Sequence, residues 1–476
     1  MKNLKWKKAG SAVLATALAG SMVLPATAYA QGEIVQLEGG TSTQTNTAPE
    51  QVFLNKYSGT VRTQNFNDNW KFYLGDASGA QTPAFDDSSW DQVNLPHDYS
   101  IDQKYNRSMD GEAESGYLPG GTGWYRKNFT VDESLKGKRI SIDFGGVYMN
   151  ATIYVNGKKL GTHPNGYTPF SFDITDNVKF GKENVIAVKV DHQTPSSRFY
   201  SGSGIYRDVD FVVTDTVHVD KNGTKIETPD LKEHVDGNNV AVKVKTTVVN
   251  ESERDASVKV KHTIYPKNGT AEQAVATFES QEAVAVEKGK SKDVSADFTA
   301  SGVQLWSTTT PNLYTVKTEV LMDGATVDTY ETDYGFRYFA FDKNNGFTLN
   351  GQKMKLQGVC MHHDQGALGS VANDRSTERQ VEILKMMGCN SIRVTHNPAS
   401  DELIDACNKH GILVIDEAFD GWVAPKNGNS NDYAKWFNKE IESDNEIMGA
   451  ADNMTWAQFD LTAMIERGQN DPAIIM

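Results

Sequence analysis

Apolar and polar residues alternate along this chain with two different periods, and the change from one to the other divides it. Between Tyr57 and about Thr214 the period is two. Ile140, Ile142 and Phe144 alternate with polar neighbours, as do Ile186, Val188 and Val190, which is the spacing of strands with one buried face. Asn156-Gly157 interrupts such a run between Val155 and Leu160, a signal for a tight hairpin turn. Short strands at this spacing predict a β-sandwich of the jelly-roll kind. A second alternating stretch follows from about Val217 to Tyr334, with Val240, Val242, Val244, Thr246 and Val248, then Val258, Val260, His262 and Ile264. It predicts an immunoglobulin-like β-sandwich, with His262 on the buried phase of its strand.

After Phe336 the period changes. Residues 355–361 read as a strand and 377–388 as a helix, with Thr377 and Gln380 as a capping box, Val381, Leu384 and Met387 as its apolar stripe and Gly388 as its stop. Strands at 391–395 and 412–415 flank a second helix at 400–411. A long polar loop covers 420–453, a third helix lies around 456–467, and an apolar run closes the chain at 473–476. Alternating helices and doubly apolar strands predict a parallel sheet, and a (β/α)8 TIM barrel is the leading candidate. Four strands and three helices make half of such a barrel, so the chain is expected to stop mid-domain. The expected organisation is a signal peptide over 1–30, a flexible leader over 31–56, a jelly-roll domain over 57–215, the immunoglobulin-like domain over 216–336 and the N-terminal half of a barrel over 337–476.

Composition narrows the partners. The 476 residues carry a net charge of -15, and the first thirty hold four lysines and no acid. The remainder therefore bears 43 basic against 62 acidic side chains, which argues against nucleic acid or anionic lipid. Lys2, Lys5, Lys7 and Lys8, an apolar run from Ala9 to Leu24, and Ala28-Tyr29-Ala30 form a cleavable export signal. No later stretch reaches membrane-spanning length. A secreted or cell-surface protein of Gram-positive bacterial type is expected. Three cysteines are too few for a disulfide framework and are expected to be buried thiols.

Specific motifs then point to a family. Asn390-Ser391-Ile392-Arg393-Val394-Thr395-His396-Asn397-Pro398, followed by Asp405 and by 411–415, resembles a signature of glycoside hydrolase family 2. Leu95-Pro96-His97-Asp98, the run 117–126 and Ser203-Gly204-Ile205-Tyr206-Arg207-Asp208 resemble that family's jelly-roll motifs. The order of the domains is also the family's, and the likeness is greatest to large secreted β-galactosidases of Gram-positive bacteria. The resemblance implies retaining hydrolysis of terminal β-D-galactose, from lactose and related β-galactosides, by two carboxyl groups about 5 Å apart. It places the acid/base just after Met476 and the nucleophile further on, so no catalytic residue is expected within the chain, and the chain alone is expected to be inactive. The alternatives are a β-glucuronidase, a β-mannosidase, or a secreted carbohydrate-binding protein without catalysis.

Substrate-binding candidates come from position and resemblance together. His362 and His396 lie at C-terminal ends of barrel strands, where barrel proteins keep their active sites; a neutral imidazole there can both donate to and accept from sugar hydroxyls. His363 should point the other way. Asp416 and Glu417 follow the third strand as adjacent residues, so one of the two can face the pocket and they cannot flank one bond. Trp422 could stack on a sugar or pack in a core. The resemblance adds Asn397 from the signature, with Asp98 and Arg198 from jelly-roll loops over the barrel mouth. No metal and no cofactor are expected, since 416–422 lacks a Glu-x-His pair and His362-His363-Asp364 diverges along its strand.

Overall fold

The computed structural model describes residues 55–58 and 61–476; the expected signal peptide and nearly all of the expected leader lie outside them. The first domain is a two-sheet sandwich. One sheet has seven strands, with Gly121–Val131 and Glu183–His192 at its centre in antiparallel register and Lys56–Tyr57 beside Gly121–Val131. The other has four, ordered Thr63–Asn65, Val209–Thr214, Arg139–Phe144, Phe170–Asp173. The alternation of apolar positions is what allows this closure: Ile140, Ile142 and Phe144 are fully buried while their neighbours stay partly exposed. Asn156 and Gly157 adopt φ of 51° and 89°, the left-handed backbone that a two-residue turn demands between Ala151–Val155 and Lys158–His163.

A second sandwich packs Val217–Glu227, Val240–Asn250 and Lys290–Ala300 against a five-stranded sheet centred on Ala256–Pro266 and Tyr314–Met322. His262 lies within it, fully buried, beside the stacked rings of Phe278 and Phe298 at 6.3 and 6.2 Å. Its Nδ1 is 3.1 Å from the Thr318 hydroxyl, and burial pushes the imidazole down to about 4.

A three-stranded antiparallel sheet over 339–353, absent from the sequence reading, leads into the parallel sheet. That sheet comprises β1 (Gly358–Met361), β2 (Ser391–Val394) and β3 (Leu413–Asp416). Residues 473–476 add a parallel run beside β3: Val414 N–H donates to Ala473 O at 2.8 Å and Asp416 N–H to Met476 O at 2.8 Å. The connecting helices are α1 (Asp374–Met386), α2 (Asp401–His410) and α3 (Trp456–Gly468).

Two expectations need correction. Helix α1 starts three residues earlier than its capping-box signal, because the Asn373 side chain accepts from the Ser376 N–H and caps first. Thr377 sits inside the helix, where its hydroxyl accepts from the Gln365 amide. The segment read as a polar loop over 420–453 is also more than a loop. Ile447, together with Trp456 and Phe459 of α3, lies in the jelly-roll core, and Tyr433, Trp436, Ile441 and Met454 pack against that core. Glu446 N–H bonds to Leu160 O and Met448 N–H to Ser171 O, both under 3 Å. These apolar residues fall at irregular intervals, so no period announces them.

Candidate functional site

The parallel register sets Met361 opposite Val394 and Val394 opposite Asp416, so the C-terminal ends of β1, β2 and β3 lie in line. The residues just beyond them meet. The rings of His362 and His396 are 5.8 Å apart and nearly perpendicular. His396 Nδ1 lies 2.6 Å from Glu417 Oε2, and the Arg393 guanidinium bonds to Glu417 Oε1 at 2.5 Å. Arg393 pairs across the sheet with Ile415, and strand alternation carries Glu417 to the same face as Ile415. Asp416 takes the opposite face. It is buried, accepts from the Ala399 N–H at 2.9 Å and from Arg467 at 2.7 Å, and burial raises its pKa against the pull of Arg467. Of the adjacent pair, Glu417 is therefore the residue on the cleft side.

The jelly roll supplies the other wall through the segment between Glu183–His192 and Val209–Thr214. Phe199 packs its ring 4.3 Å from that of His362 and 6.2 Å from that of His396. Arg198 grips Asp420 with two nitrogens at 2.8 to 3.1 Å, and the Asp420 N–H donates to Asn397 Oδ1 at 3.2 Å. Burial foremost, then the neighbouring His396, holds the His362 imidazole below its ordinary pKa. At neutral pH it is therefore uncharged, able to donate from one nitrogen and accept at the other. His363 turns away, half-buried, against the ring of Tyr167, and desolvation there drives its pKa far down.

The remaining candidates divide. Trp422 is 59% exposed, so the core reading does not apply to it. Asn397 is buried, its side-chain oxygen engaged by the Asp420 backbone. Asp98 is 1% exposed and accepts from the N–H groups of Ser100, Ser203 and Ser370 and from the Tyr200 hydroxyl. In this arrangement Asp98 ties the sandwich to the barrel loop at Ser370. Arg198 likewise binds a barrel residue across the cleft. Cys407 is buried as expected, but Cys360 is exposed on β1, its sulfur 3.9 Å from Arg393.

Arg393, Phe199 and Asp420 were not singled out from sequence. Arg393 carried a usable signal, a charge between the apolar Ile392 and Val394 within a recognised motif. Phe199 and Asp420 carried none, because their neighbours come from other domains of the chain. Among the described residues, Glu378, Glu382 and His410 bring three possible metal-ligating atoms within 4.8 Å of one another on the outer helices. Their carboxylates are already bonded to Arg375 and Lys409.

A jelly roll, an immunoglobulin-like sandwich and β/α units of a TIM barrel, in that order, define a multidomain barrel protein whose cleft is walled partly by its first sandwich. Family models agree with this domain by domain. Residues 63–215 match the sugar-binding domain of glycosyl hydrolases family 2, residues 224–337 match the model described simply as glycosyl hydrolases family 2, and residues 342–476 match that family's TIM barrel domain. The chain belongs to that family.

It is 41% identical over 412 residues to the β-galactosidase BoGH2A of Bacteroides ovatus, covering 86% of this chain and 45% of the relative. It is 35% identical over 381 residues to a putative β-glucuronidase of Formosa agariphila, covering 79% of this chain and 35% of the relative. The chain thus spans under half the length of either. Among solved structures, a family 2 member from Bacteroides cellulosilyticus superposes with a TM-score of 0.80 at 38% identity, over 87% of this chain and 51% of that one. A Bacteroides uniformis β-glucuronidase gives 0.71 at 31% identity, over 87% and 46%.

Proposed function

We propose that the protein serves in retaining hydrolysis of terminal, non-reducing β-D-galactose, and that the cleft described above is the sugar-holding wall of that active site. The observation that carries the reading is the convergence of His362, His396, Arg393 and Glu417 at the strand ends, with Phe199 of the sandwich over them. A neutral hexose presents hydroxyls to be bonded, and this wall offers imidazole nitrogens and guanidinium donors beside an aromatic face. Among the described residues, both arginines of the cleft, 198 and 393, already have a carboxylate partner. That favours an uncharged sugar over a uronate, whose carboxylate calls for a free cation. The similarity to a protein named a β-galactosidase supports the same choice, while relatives named β-glucuronidase make the glucuronide the second reading.

Retaining chemistry needs two carboxyl groups facing one glycosidic bond about 5 Å apart. Glu417 is held by two partners and Asp416 faces the helices, so the proposal assigns neither as acid/base or nucleophile. It predicts that this 476-residue chain binds galactosides without hydrolysing them. Export by a cleaved signal peptide, in the manner of secreted Gram-positive enzymes, belongs to the same proposal, as does the absence of nucleic acid from its partners. No helix among the described residues is long and apolar enough to cross a membrane.

The test measures binding of non-hydrolysable thio-β-galactoside, thio-β-glucuronide and thio-β-mannoside by calorimetry, beside turnover of the matching aryl glycosides. The galactoside should bind most tightly, with no turnover. Tighter binding of the glucuronide would replace the sugar assignment. Turnover abolished by Glu417→Gln or Asp416→Asn would overturn the placement of the catalytic groups.

A further inference from the structure

The Glu417 carboxylate holds two donors at once. Its Oε1 takes the Arg393 guanidinium at 2.5 Å and its Oε2 faces His396 Nδ1 at 2.6 Å. An ionised carboxylate only accepts hydrogen bonds, and a guanidinium only donates them. At 2.6 Å a bare imidazole nitrogen would set lone pair against lone pair, so the His396 proton lies on Nδ1. In the neutral ring Nε2 then carries the lone pair, because the bond made by one ring nitrogen decides the role of the other.

From this we infer that Glu417 is a positioning residue: it fixes His396 as the Nδ1–H tautomer, so that Nε2 accepts from a donating sugar hydroxyl while Arg393 offers donors in the same cleft. The inference rests on reading the cleft as a sugar site and goes beyond it by giving Glu417 a role without sugar contact. Both of its oxygens are engaged within the protein, on Arg393 and His396. The Arg393 bond is what gives the device its direction. Arg393 cannot accept, so whichever group stands at position 417 must turn an acceptor toward it, and what remains is shown to His396.

That asymmetry makes a sharp test. In Glu417→Gln the amide oxygen must face Arg393, which leaves the amide NH2 pointing at His396 Nδ1. The ring then has to accept there, and its proton moves to Nε2. The full chain, labelled with 15N-histidine, is examined by long-range proton–nitrogen correlation at pH values where the His396 signals have stopped moving, with His396→Gln used for assignment. The unmodified protein should show Nδ1 protonated and Nε2 bare, a result that stands even if the Glu417→Gln protein folds poorly. Glu417→Gln should invert the two signals. Glu417→Gln combined with Arg393→Met should restore the original pattern, because the amide is then free to present its oxygen to His396.

A dominant Nε2–H tautomer in the unmodified protein would refute the inference, and so would a Glu417→Gln protein that keeps Nδ1–H with Arg393 in place. The thio-β-galactoside separates this result from the functional reading. Its affinity should fall about tenfold in Glu417→Gln, equivalent to the loss of one good hydrogen bond. Absence of any galactoside binding by the parent chain would count against the functional reading while the tautomer result stood or fell by itself.

Discussion

Lys127 is an ammonium inside a sandwich core. It is 1% exposed, donates to the Tyr57 hydroxyl and to the carbonyls of Phe66 and Asp68 at 2.8 to 2.9 Å, and lies 4.1 Å from the centre of the Phe66 ring. Burial pushes its pKa down to about 7. The unfolded chain, with a lysine near 10.4, binds more protons than the folded one between those values. The charge therefore costs stability in full below pH 7, and the cost is relieved as pH rises toward 10. Lys127→Met should accordingly gain in melting temperature over the parent most at pH 6 and least at pH 9; an equal difference at the two would refute the buried-charge account. At this scale the sequence was informative wherever period two decides which way a side chain faces. It separated His362 from His363 and required Asp416 and Glu417 to diverge. It could not choose which of the latter pair faces the cleft, because that depends on the register between β2 and β3.

Among the elements, α2 was read almost to the residue, since its signals are local. Ser400 caps it by accepting from the Leu403 N–H, and Gly411 ends it at φ 69°, ψ 52°. A Cβ at Gly411 would lie 2.8 Å from Thr308 O and 3.0 Å from Ser307 O. Gly411→Ala should therefore destabilise through both left-handed strain and contact with the second sandwich, by about 1–2 kcal/mol, read as a lowered denaturant midpoint. An unchanged midpoint would mean the helix end relaxes freely. Helix α1 shows why such reading fails elsewhere. Two capping signals, Asn373 and Thr377, stood four residues apart, and the packing of 365 against the helix assigned the second to another bond. The stretch 420–453 failed for a different reason: its buried apolar residues meet a partner domain, so they follow that domain's surface and no period of their own.

Across the whole molecule, acidic side chains crowd the junction of the three domains. Glu402 and Asp405 of α2, Asp208 and Asp210 of the first sandwich, Asp333 of the second, and Asp401 and Asp471 line two cavities there of about 240 and 250 Å³, facing Arg207, Lys221 and Arg467. Burial first, then neighbouring carboxylates, pushes Glu402 up to about 8 and Asp210 to about 6, and burial pushes Asp471 to about 7. An acid whose folded pKa is raised holds its proton longer in the folded state, so its stabilising share is present at low pH and is lost as pH rises from 4 to that value. Buried His192, His218 and His262, each pushed down to about 4, act oppositely between pH 4 and 6.5. Glu402→Gln isolates the acidic effect: the variant should gain melting temperature over the parent at pH 8 and show little difference at pH 5. The reverse order would refute it.

The covering of the first sandwich by residues 433–459 has a consequence for how the protein is made. The sandwich's own strands end at Thr214, yet Ile447, Trp456 and Phe459 belong to its core. A ribosome adding about 5–20 residues per second would need roughly 10–50 s to travel from one to the other. Throughout that interval the nascent sandwich carries an apolar face whose cover has not been synthesised. The second sandwich, whose core draws on its own strands and the residues flanking them, can close meanwhile. The order of folding is thus not the order of synthesis: the first domain to emerge completes its core after the second, and in that window it is the part of the chain most in need of a chaperone.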